Sequence, residues 1–259
     1  MEKIIIVTGA SQGLGKVVSE MLANDDNKII KVARNIDLKD PMQYSCDVSD
    51  EKAVKEVVDD VVKRFGRVDL LINNAGYGMS GISELVSVEE MHRIFNVNFF
   101  GSVYFTKFAL PHMQKNSRII NVGSAMEFFP LPYRAFYASS KSAIGTFSIA
   151  QRMECEQLGV DITVVCPGDI KTTFVKNRVK NFETDERYGD SIKKATGKVD
   201  AREDKRMSVE YVAKKIVKIA NKRKTKPRYI IGRKYKVLHF LTKLFPFGLV
   251  VKAIKKMCG

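Results

Sequence analysis

Short runs of apolar residues recur along the chain, and most of them are rich in β-branched side chains. Continuous runs of this kind are typical of strands that are buried on both faces of a parallel sheet. An alternation of such strands with helices predicts an α/β fold, a single doubly wound parallel sheet (a Rossmann fold) with ligands at the carboxyl ends of its strands. The predicted strands cover residues 3–8, 28–33, 69–73, 118–123, 161–166 and 229–231, with a further short strand before Cys46.

The predicted helices lie between these strands. One helix is predicted over 51–65, because five valines recur there at helical spacing. Ser208 is a favourable N-cap for another helix, which we expect to end near residue 220. The remaining helices are predicted from the glycine-rich loop to about Asn24, from residue 91 to about 113, and through Tyr137 to about residue 158.

The pattern changes after residue 168. Residues 169–207 are rich in charge, with Phe174, Phe182 and Tyr188 as isolated aromatic residues. A long segment without a clear pattern inside a compact domain is typical of a lid or of a disordered segment. We therefore expect one Rossmann-type domain over 1–259, with a substrate lid at 169–207 and a C-terminal amphipathic tail at 233–259.

The tail combines apolar residues with lysines and is broken at Pro246. A membrane-spanning helix needs about 20 uninterrupted apolar residues, and Lys243, Pro246 and Lys252 exclude such a run. Packing over a substrate pocket or against a neighbouring subunit is the favoured explanation of the apolar stripe. Weak contact with an anionic membrane surface is the alternative.

The net charge of +15 is confined to the last quarter of the chain. Residues 1–201 hold 26 Lys and Arg against 26 Asp and Glu, whereas residues 202–259 hold 18 against 3. A basic segment can attract nucleic acid, anionic lipid or an acidic substrate, or form a solvated face without a partner. No stacking platform or groove-reading motif accompanies it, so nucleic-acid binding is not expected.

The chain holds four cysteines and three histidines, and neither set suggests a metal site. The cysteines lack Cys-x-x-Cys spacing and the histidines lie apart from one another, so we expect no metal and no disulfide framework. The apolar strand at Lys3–Thr8 begins at once, leaving no room for an export signal. These features favour a reducing compartment, and the expected location is cytoplasmic.

A glycine-rich loop, Gly9-Ala10-Ser11-Gln12-Gly13-Leu14-Gly15, directly follows the first strand. Glycine allows a sharp turn and close approach of a ligand, and the helix that starts here offers unpaired N–H groups to a phosphate. The loop is therefore a candidate pyrophosphate site, although a plain glycine turn has a similar sequence.

The residues after the second and third strands are candidates for binding adenosine. Arg34 stands where an arginine would bind the 2′-phosphate of NADP and an acid would bind the ribose of NAD, so NADP(H) is favoured and NAD(H) is the alternative. Gln12 supplies no second basic residue in the phosphate loop. Asp47, followed by Val48, is a candidate for the adenine amino group.

Tyr137 and Lys141 lie one helical turn apart on the same helix face. A nearby cation favours the phenolate and lowers the pKa of a tyrosine, which makes the phenol a proton donor and acceptor for an alcohol or a ketone. Ser124 ends the strand that precedes this helix. Asn98 is an amide inside an apolar helical stretch, where structural hydrogen bonding is the default explanation.

The chain resembles a short-chain dehydrogenase/reductase over residues 3 to about 232. The resemblance rests on six motifs in order: Thr8-Gly9-Ala10-Ser11-Gln12-Gly13-Leu14-Gly15, Asn73-Asn74-Ala75-Gly76, Asn98, Ser124, Tyr137-x-x-x-Lys141 and Pro167-Gly168. It implies that Tyr137 is the general acid/base, that Lys141 lowers the pKa of Tyr137 and holds the nicotinamide ribose, that Ser124 binds the substrate oxygen, and that Asn98 anchors a water in a proton relay.

The resemblance also implies a cofactor site. Thr172 would hold the nicotinamide carboxamide. The full set implied is Gly9, Ser11, Gln12, Gly13, Leu14, Gly15, Arg34, Asp47, Val48, Asn74, Ala75, Gly76, Tyr137, Lys141, Pro167, Gly168, Ile170 and Thr172.

Within the family the chain resembles the hydroxysteroid and retinol dehydrogenase branch, because of Asn73–Gly78, Arg34 and Pro227-Arg228-Tyr229-x-x-Gly232 followed by an apolar tail. This implies a bulky apolar alcohol or ketone, with a hydroxysteroid or bile acid favoured, and a homodimer or homotetramer. The expected pocket residues are Met126, Phe128, Phe129 and Phe174. A 3-ketoacyl-type ketoreductase and a cofactor-sensing regulatory protein are the alternatives.

Overall fold

The computed structural model describes residues 2–23, 27–172, 174, 178–181, 183, 186–200 and 206–258. The predicted helix end at Asn24 and the predicted lid residue Phe182 lie outside these ranges. Within them, a central sheet carries helices on both of its faces, which confirms the predicted doubly wound α/β fold.

Seven parallel strands form the central sheet. Their bounds are β1 Lys3–Thr8, β2 Asn27–Ala33, β3 Gln43–Ser45, β4 Leu70–Asn73, β6 Arg118–Val122, β7 Asp161–Pro167 and β11 Arg228–Ile231. Their order across the sheet is β11-β7-β6-β4-β1-β2-β3. The strand order reverses between β1 and β4, and this reversal places a crevice at the carboxyl ends of these two strands.

Strand β1 shows why the apolar runs are continuous. Ile4 and Ile6 pack into one hydrophobic core, whereas Ile5 and Val7 pack into the other. Successive side chains of a strand point to opposite faces, so a strand with helices on both sides needs apolar residues at every position. The sheet is therefore covered on both faces, and only its strand ends remain available for chemistry.

The helices follow most of the predicted boundaries. Asp50 caps the first N–H groups of α2 and Gly66 ends it in the left-handed region, so this helix has the predicted limits. Ser208 accepts from the N–H of Tyr211 and caps α7 as expected. The bounds are α1 Gly13–Leu22, α2 Glu51–Phe65, α3 Val88–Phe95, α4 Gly101–Ala109, α5 Ala135–Glu154, α6 Ser191–Asp200, α7 Val209–Ala220, α8 Arg233–Leu244 and α9 Phe247–Cys258.

Two predicted helices differ from the structure. The helix expected over 91–113 is α3 and α4 joined by a π-helical turn at Asn96–Phe100. The helix expected to end near residue 158 stops at Glu154, and a 3-10 turn follows at Glu156–Leu158 before Gly159 reverses the chain with a φ of +68°. The π-helical turn and the 3-10 turn both change the spacing of apolar residues too little to be recognised in the sequence.

The segment predicted to be a lid contains regular structure in its described parts. Its short strands are β8 Ile170–Lys171, β9 Val179–Lys180 and β10 Met207–Ser208. Strand β8 pairs with β10, and β9 pairs with β5 Met79–Ser80, which lies earlier in the chain. Helix α6 buries Ile192 and Ala195, which stand three residues apart in a charged sequence. Two apolar residues are too few to show helical periodicity, so the prediction of a segment without pattern was wrong there.

The tail forms the two helices α8 and α9, separated at Pro246, which cannot continue α8. Leu238 and Leu241 of α8 and Val250 and Ile254 of α9 line the large cavity at the strand ends, so the tail covers this pocket as expected. In the part of the chain that the structure describes, we find no helix with the length and apolarity to cross a membrane.

Candidate active site

A cavity of about 1130 Å³ lies along the carboxyl ends of the strands. It extends from the glycine-rich loop, past Tyr137, to the side chains of α8 and α9. One continuous space therefore joins the predicted cofactor residues, the predicted catalytic residues and the tail.

The glycine-rich loop is shaped by its glycines. Gly9 has a φ of +67°, and a Cβ atom there would lie 2.9 Å from Cα of Ala75. A Cβ atom at Gly15 would lie 2.3 Å from the carbonyl oxygen of Gly9. Gly15 therefore allows α1 to pack against the loop and does not line the cavity, so its contact with a cofactor stays a prediction. Gly9, Ser11, Gln12, Gly13 and Leu14 do line the cavity.

The start of α1 fits the pyrophosphate of a dinucleotide. Gln12 is the N-cap residue, and its side chain makes no capping hydrogen bond. The first N–H groups of a helix have no intrahelical acceptors, and the helix dipole favours an anion beside them. The glycines of the loop leave no room for side chains, and the start of α1 lacks a side-chain cap. Both features suit the binding of a pyrophosphate.

Asn74 and Ala75 hold the loop in place. Their backbone N–H groups each donate to Oγ1 of Thr8 at 3.0 Å, and Nδ2 of Asn74 donates to the carbonyl oxygen of Thr8 at 2.9 Å. These bonds tie the end of β4 to the end of β1. Asn74, Ala75 and Gly76 also line the cavity, so they both support the site and face it.

Two cations and one acid line the cavity near the end of β2, at the part that we call the adenosine end because the adenosine of a dinucleotide is predicted there. Nη1 of Arg34 lies 3.8 Å from Oδ2 of Asp47. Burial raises the pKa of Asp47, but hydrogen bonds from Ser49 and the charges of Arg34 and Arg93 outweigh it and lower the pKa below its usual value. Arg34, Asp47, Val48 and Arg93 all line the cavity. The sequence analysis missed Arg93, which stands on α3 far from the glycine-rich motif.

Ser124 and Tyr137 meet at the centre of the cavity. The Ser124 hydroxyl lies beside the Tyr137 phenol, and Oγ of Ser124 accepts from the N–H of Met126 at 3.2 Å. Burial raises the pKa of Tyr137 above its usual value, and the Ser124 hydroxyl and the charges of Arg134 and Arg178 only partly offset this rise. The expected lowering of this pKa is therefore not seen.

Lys141 lies on the same face of α5 as Tyr137 and is buried. Its Nζ donates to the carbonyl oxygen of Val122 at 2.8 Å. Burial lowers the pKa of Lys141 to about 8, since the charged form loses its hydration. A Cβ atom at Gly76 would lie 3.4 Å from this Nζ and 2.9 Å from Oδ1 of Asn98, so the loop after β4 passes closely by both side chains.

Asn98 is buried in the π-helical turn and connects two parts of the site. Its Oδ1 accepts from the N–H of Tyr77 at 2.9 Å, and its Nδ2 donates to the carbonyl oxygen of Tyr77 at 3.0 Å and to Oγ of Ser140 at 3.1 Å. Ser140 in turn donates to the carbonyl oxygen of Tyr137 at 2.8 Å. The side-chain amide thus positions the Tyr77 loop against α5; the role as a water anchor stays a prediction.

Three of the four predicted pocket residues face the cavity. Met126, Phe129 and Phe174 line it, and the ring centroid of Phe174 lies 5.9 Å from that of Tyr137. Phe128 does not line it. Its ring packs 4.3 Å from the ring of His239 and 5.0 Å from the guanidinium of Arg228. Its neighbour Phe129 takes the inward direction in the loop after β6, so the cavity gives no support to the prediction that Phe128 contacts the substrate.

The loop after β7 joins the cofactor end to the tail. Pro167, Gly168, Ile170 and Thr172 line the cavity, and their contact with a cofactor stays a prediction. A Cβ atom at Gly168 would lie 1.8 Å from the ring of Tyr235, so the aromatic ring of α8 rests directly on this glycine.

Two buried arginines at the Tyr137 end were also missed. Arg134 and Arg178 are 6% and 8% exposed, and both line the cavity. Arg134 stands three residues before Tyr137, a spacing that places two side chains on neighbouring positions of a helix face, so the sequence held a signal for it. Arg178 lies in the charged segment, where no pattern distinguished it from its neighbours.

A family model for short chain dehydrogenases matches residues 3–183, which is more than half of the chain. The chain belongs to the short-chain dehydrogenase/reductase family. The glycine-rich loop, Ser124, Tyr137 and Lys141 all fall inside the matched range, whereas the tail lies beyond it.

This short-chain dehydrogenase/reductase has relatives with named activities. It is 32% identical over 247 residues to the 3-ketodihydrosphingosine reductase of Bacteroides thetaiotaomicron, covering 93% of this chain and 92% of that protein. It is 32% identical over 199 residues to an 11-beta-hydroxysteroid dehydrogenase of Pinus massoniana, covering 71% of this chain and 55% of that protein. The structure of ElxO with NADP bound is 27% identical, with a TM-score of 0.74 over 92% of this chain and 100% of that chain.

Proposed function

We propose that this short-chain dehydrogenase/reductase uses NADP(H) to interconvert a secondary alcohol and a ketone on a bulky apolar or amphipathic substrate. One observation carries the proposal. Tyr137, with Ser124 beside it, faces a cavity whose far side is formed by apolar residues of the tail helices.

The proton-transfer chemistry belongs to Tyr137. When a ketone is reduced, the phenol of Tyr137 gives its proton to the carbonyl oxygen, and the same group takes a proton from the alcohol in the reverse direction. The Ser124 hydroxyl donates a hydrogen bond to the substrate oxygen, where negative charge develops. The ammonium of Lys141, close behind Tyr137 on the same helix face, stabilises the phenolate that remains.

The dinucleotide would lie between the glycine-rich loop and Thr172, with its phosphates at the start of α1. When bound, it supplies or accepts the hydride at the carbinol carbon. Arg34 and Arg93 at the adenosine end support NADP(H), because two guanidinium groups can bind a 2′-phosphate.

The substrate end supports a ligand with an apolar body and a negative or neutral polar group. Arg134 and Arg178 lie at this end and act on Tyr137 through their charges. A carboxylate would be attracted to this place and an ammonium would be repelled. A hydroxysteroid or bile acid therefore remains the first candidate.

A long-chain keto lipid is the second candidate. The relative named 3-ketodihydrosphingosine reductase matches 93% of the chain, whereas the hydroxysteroid dehydrogenase relative matches 71% of it. The apolar side chains of α8 and α9 at the cavity are compatible with an acyl chain.

We further propose a homodimer or homotetramer. Aromatic residues at the π-helical turn support this, since Phe100 is exposed and stacks against Tyr104. Exposed aromatic pairs are enriched at protein interfaces.

The test is a spectrophotometric screen at 340 nm with NADPH and NADH. The substrates are a keto bile acid, a neutral ketosteroid, 3-ketodihydrosphingosine, a 3-ketoacyl thioester and a small polar sugar. We expect turnover of at least one of the first three with NADPH. Turnover of only the thioester or the sugar would contradict the substrate class, and nucleotide binding without any turnover would favour a cofactor-sensing protein.

Two variants then separate the candidates. Arg134→Met and Arg178→Met are expected to raise KM for the keto bile acid about tenfold or more and to leave KM for the neutral ketosteroid nearly unchanged. Retained binding of NADPH shows that each variant is folded. Equal effects on both steroids would show that these arginines do not bind the carboxylate.

A further inference from the structure

The tail helices have two apolar rows of side chains with different surroundings. The inner row lines the cavity and consists of Leu238, Leu241, Phe245, Leu249, Val250 and Ile254. The outer row does not line it and consists of Val237, Phe240, Leu244, Phe247 and Val251. The outer side chains are 46% to 67% exposed. Burial of the tail against the cavity therefore uses only one face of α8 and α9.

The outer row is part of a concentration of exposed apolar side chains. In the described part of the chain, 14 large apolar residues are exposed, and eight of them lie between Val237 and Val251. Scattered exposed apolar residues are normal, whereas a contiguous group marks an interaction surface. The surface is formed within one short segment of the chain.

Positive charge surrounds this surface. Residues 233–259 contain seven Lys and Arg and no Asp or Glu. The lysines at 236, 243, 252, 255 and 256 are all exposed. A second copy of the chain seated here by a twofold axis would bring the same positive charges together, which opposes association. An anionic bilayer offers the opposite charge and an apolar layer beneath it.

We infer that α8 and α9 dock this protein onto the surface of an anionic phospholipid bilayer. The outer row enters the boundary between headgroups and acyl chains while the lysines bind the lipid phosphates. Each helix has 12 residues and lies in the interface without crossing the membrane. This is a surface contact of the kind that amphipathic basic helices make.

The cavity opens onto the same surface. Leu241, Phe245 and Leu249 line the cavity and are also exposed, so the inner and outer rows meet without a polar barrier between them. An apolar substrate dissolved in the bilayer could pass from the lipid to Tyr137 along apolar side chains. This second step rests on the proposed function, whereas the docking itself does not.

The experiment is flotation of the full chain with vesicles of phosphatidylglycerol and phosphatidylcholine, or of phosphatidylcholine alone. We expect binding to the anionic vesicles that weakens with salt, and at least tenfold weaker binding to the neutral ones. The test variant combines Phe240→Asp, Leu244→Asp and Phe247→Asp, all from the outer row. We expect it to lose at least tenfold in vesicle partitioning.

A matched control carries the same change at three exposed apolar residues elsewhere. Leu38→Asp, Met153→Asp and Leu158→Asp alter side chains that are 52% to 67% exposed, and we expect this variant to bind vesicles like the wild type. Binding of NADPH shows that both triple variants are folded. Because flotation needs no turnover, a failed substrate screen leaves its result unchanged.

Three results would overturn the inference. The first is equal partitioning of the wild type with anionic vesicles and without vesicles. The second is equal loss of binding in both triple variants. The third is a wild-type dimer that the outer-row variant converts to a monomer in sedimentation velocity, with no vesicle binding by either protein, because that result assigns the surface to a second copy of the chain.

Discussion

The ammonium of Lys141 donates a 2.8 Å hydrogen bond to the backbone carbonyl oxygen of Val122, the last residue of β6. Two residues further on, the hydroxyl of Ser124 lies beside the phenol of Tyr137, which stands one turn before Lys141 on α5. The hydrogen bond of Lys141 therefore holds the end of β6 against the helix that carries Tyr137. This contact keeps the two predicted catalytic hydroxyls next to each other.

Tyr137→Phe is expected to lower kcat by roughly 100- to 10,000-fold, the range that general acid/base groups contribute. The change removes only the hydroxyl, so the dissociation constant for NADPH should change little. Turnover is followed at 340 nm and binding by fluorescence titration. Tyr211→Phe, on the exposed side of α7, is the matched control and should keep full activity. Retained turnover in Tyr137→Phe would rule out the assigned acid/base group.

The buried ammonium of Lys141 predicts a pH-dependent stability. Its pKa is lowered to about 8, whereas in the unfolded chain it has the ordinary value of about 10.4. Below pH 8 both states are protonated, and the folded state carries the full cost of the buried charge. As the pH rises through 8 the folded state loses this proton while the unfolded state keeps it, so folding becomes relatively more favourable.

Lys141→Met removes this titration. Relative to the variant, the wild type should gain about 1 kcal/mol in free energy of unfolding between pH 7 and pH 9. Urea unfolding at the two pH values, without cofactor, measures the difference. Lys224→Met, at an exposed position, should show no such change relative to the wild type. If the free energies of unfolding of wild type and Lys141→Met differ by the same amount at pH 7 and pH 9, the buried lysine does not titrate in this range.

Gly76→Ala is expected to disturb the site through its Cβ atom. That atom would lie 2.9 Å from Oδ1 of Asn98 and 3.4 Å from Nζ of Lys141. We expect a loss of about 1–3 kcal/mol in stability and a marked loss of kcat. Gly197→Ala on α6 meets nothing within 4 Å and should leave both quantities unchanged or slightly raise stability. If the thermal unfolding and turnover of Gly76→Ala match those of the control, the close contact between residue 76 and Asn98 tolerates a methyl group.

Arg34→Ala tests the choice of cofactor. Losing a charged hydrogen bond of about 1.5–3 kcal/mol predicts a KM for NADPH that rises roughly 10- to 100-fold, with little change for NADH. Arg223→Ala, at an exposed position away from the cavity, is the control. An unchanged ratio of the two cofactors' kcat/KM values would show that Arg34 does not read the 2′-phosphate.

The sheet could be predicted because its signal is local. The four central positions of β1, Ile4–Val7, are all apolar, and both faces of the strand are covered, so their burial follows from the sequence alone. The glycine-rich loop and the Tyr137 to Lys141 spacing are equally local. Their place at the strand ends follows from the parallel arrangement of the sheet.

The remaining differences depend on directions and distances that the sequence does not contain. Phe128 and Phe129 are adjacent and chemically identical, and only the turn of the loop sends one of them into the cavity. Gly15 resembles a ligand-binding glycine, but its space is needed by the carbonyl of Gly9. Arg93 reaches the adenosine end from another helix. Pairs that meet through the tertiary fold need coordinates to be recognised.

The contact between Tyr235 and Gly168 has a consequence for kinetics. The hydroxyl of Tyr235 donates to Oδ2 of Asp169 at 2.8 Å and accepts from its N–H at 3.1 Å, so α8 is fastened to the loop that leads to Thr172. A substrate that binds next to α8 and a dinucleotide that binds against that loop would both affect the hydrogen-bonded pair of Tyr235 and Asp169. We therefore expect the two to bind in a compulsory order, and initial-rate patterns with product inhibition would show which of them leads.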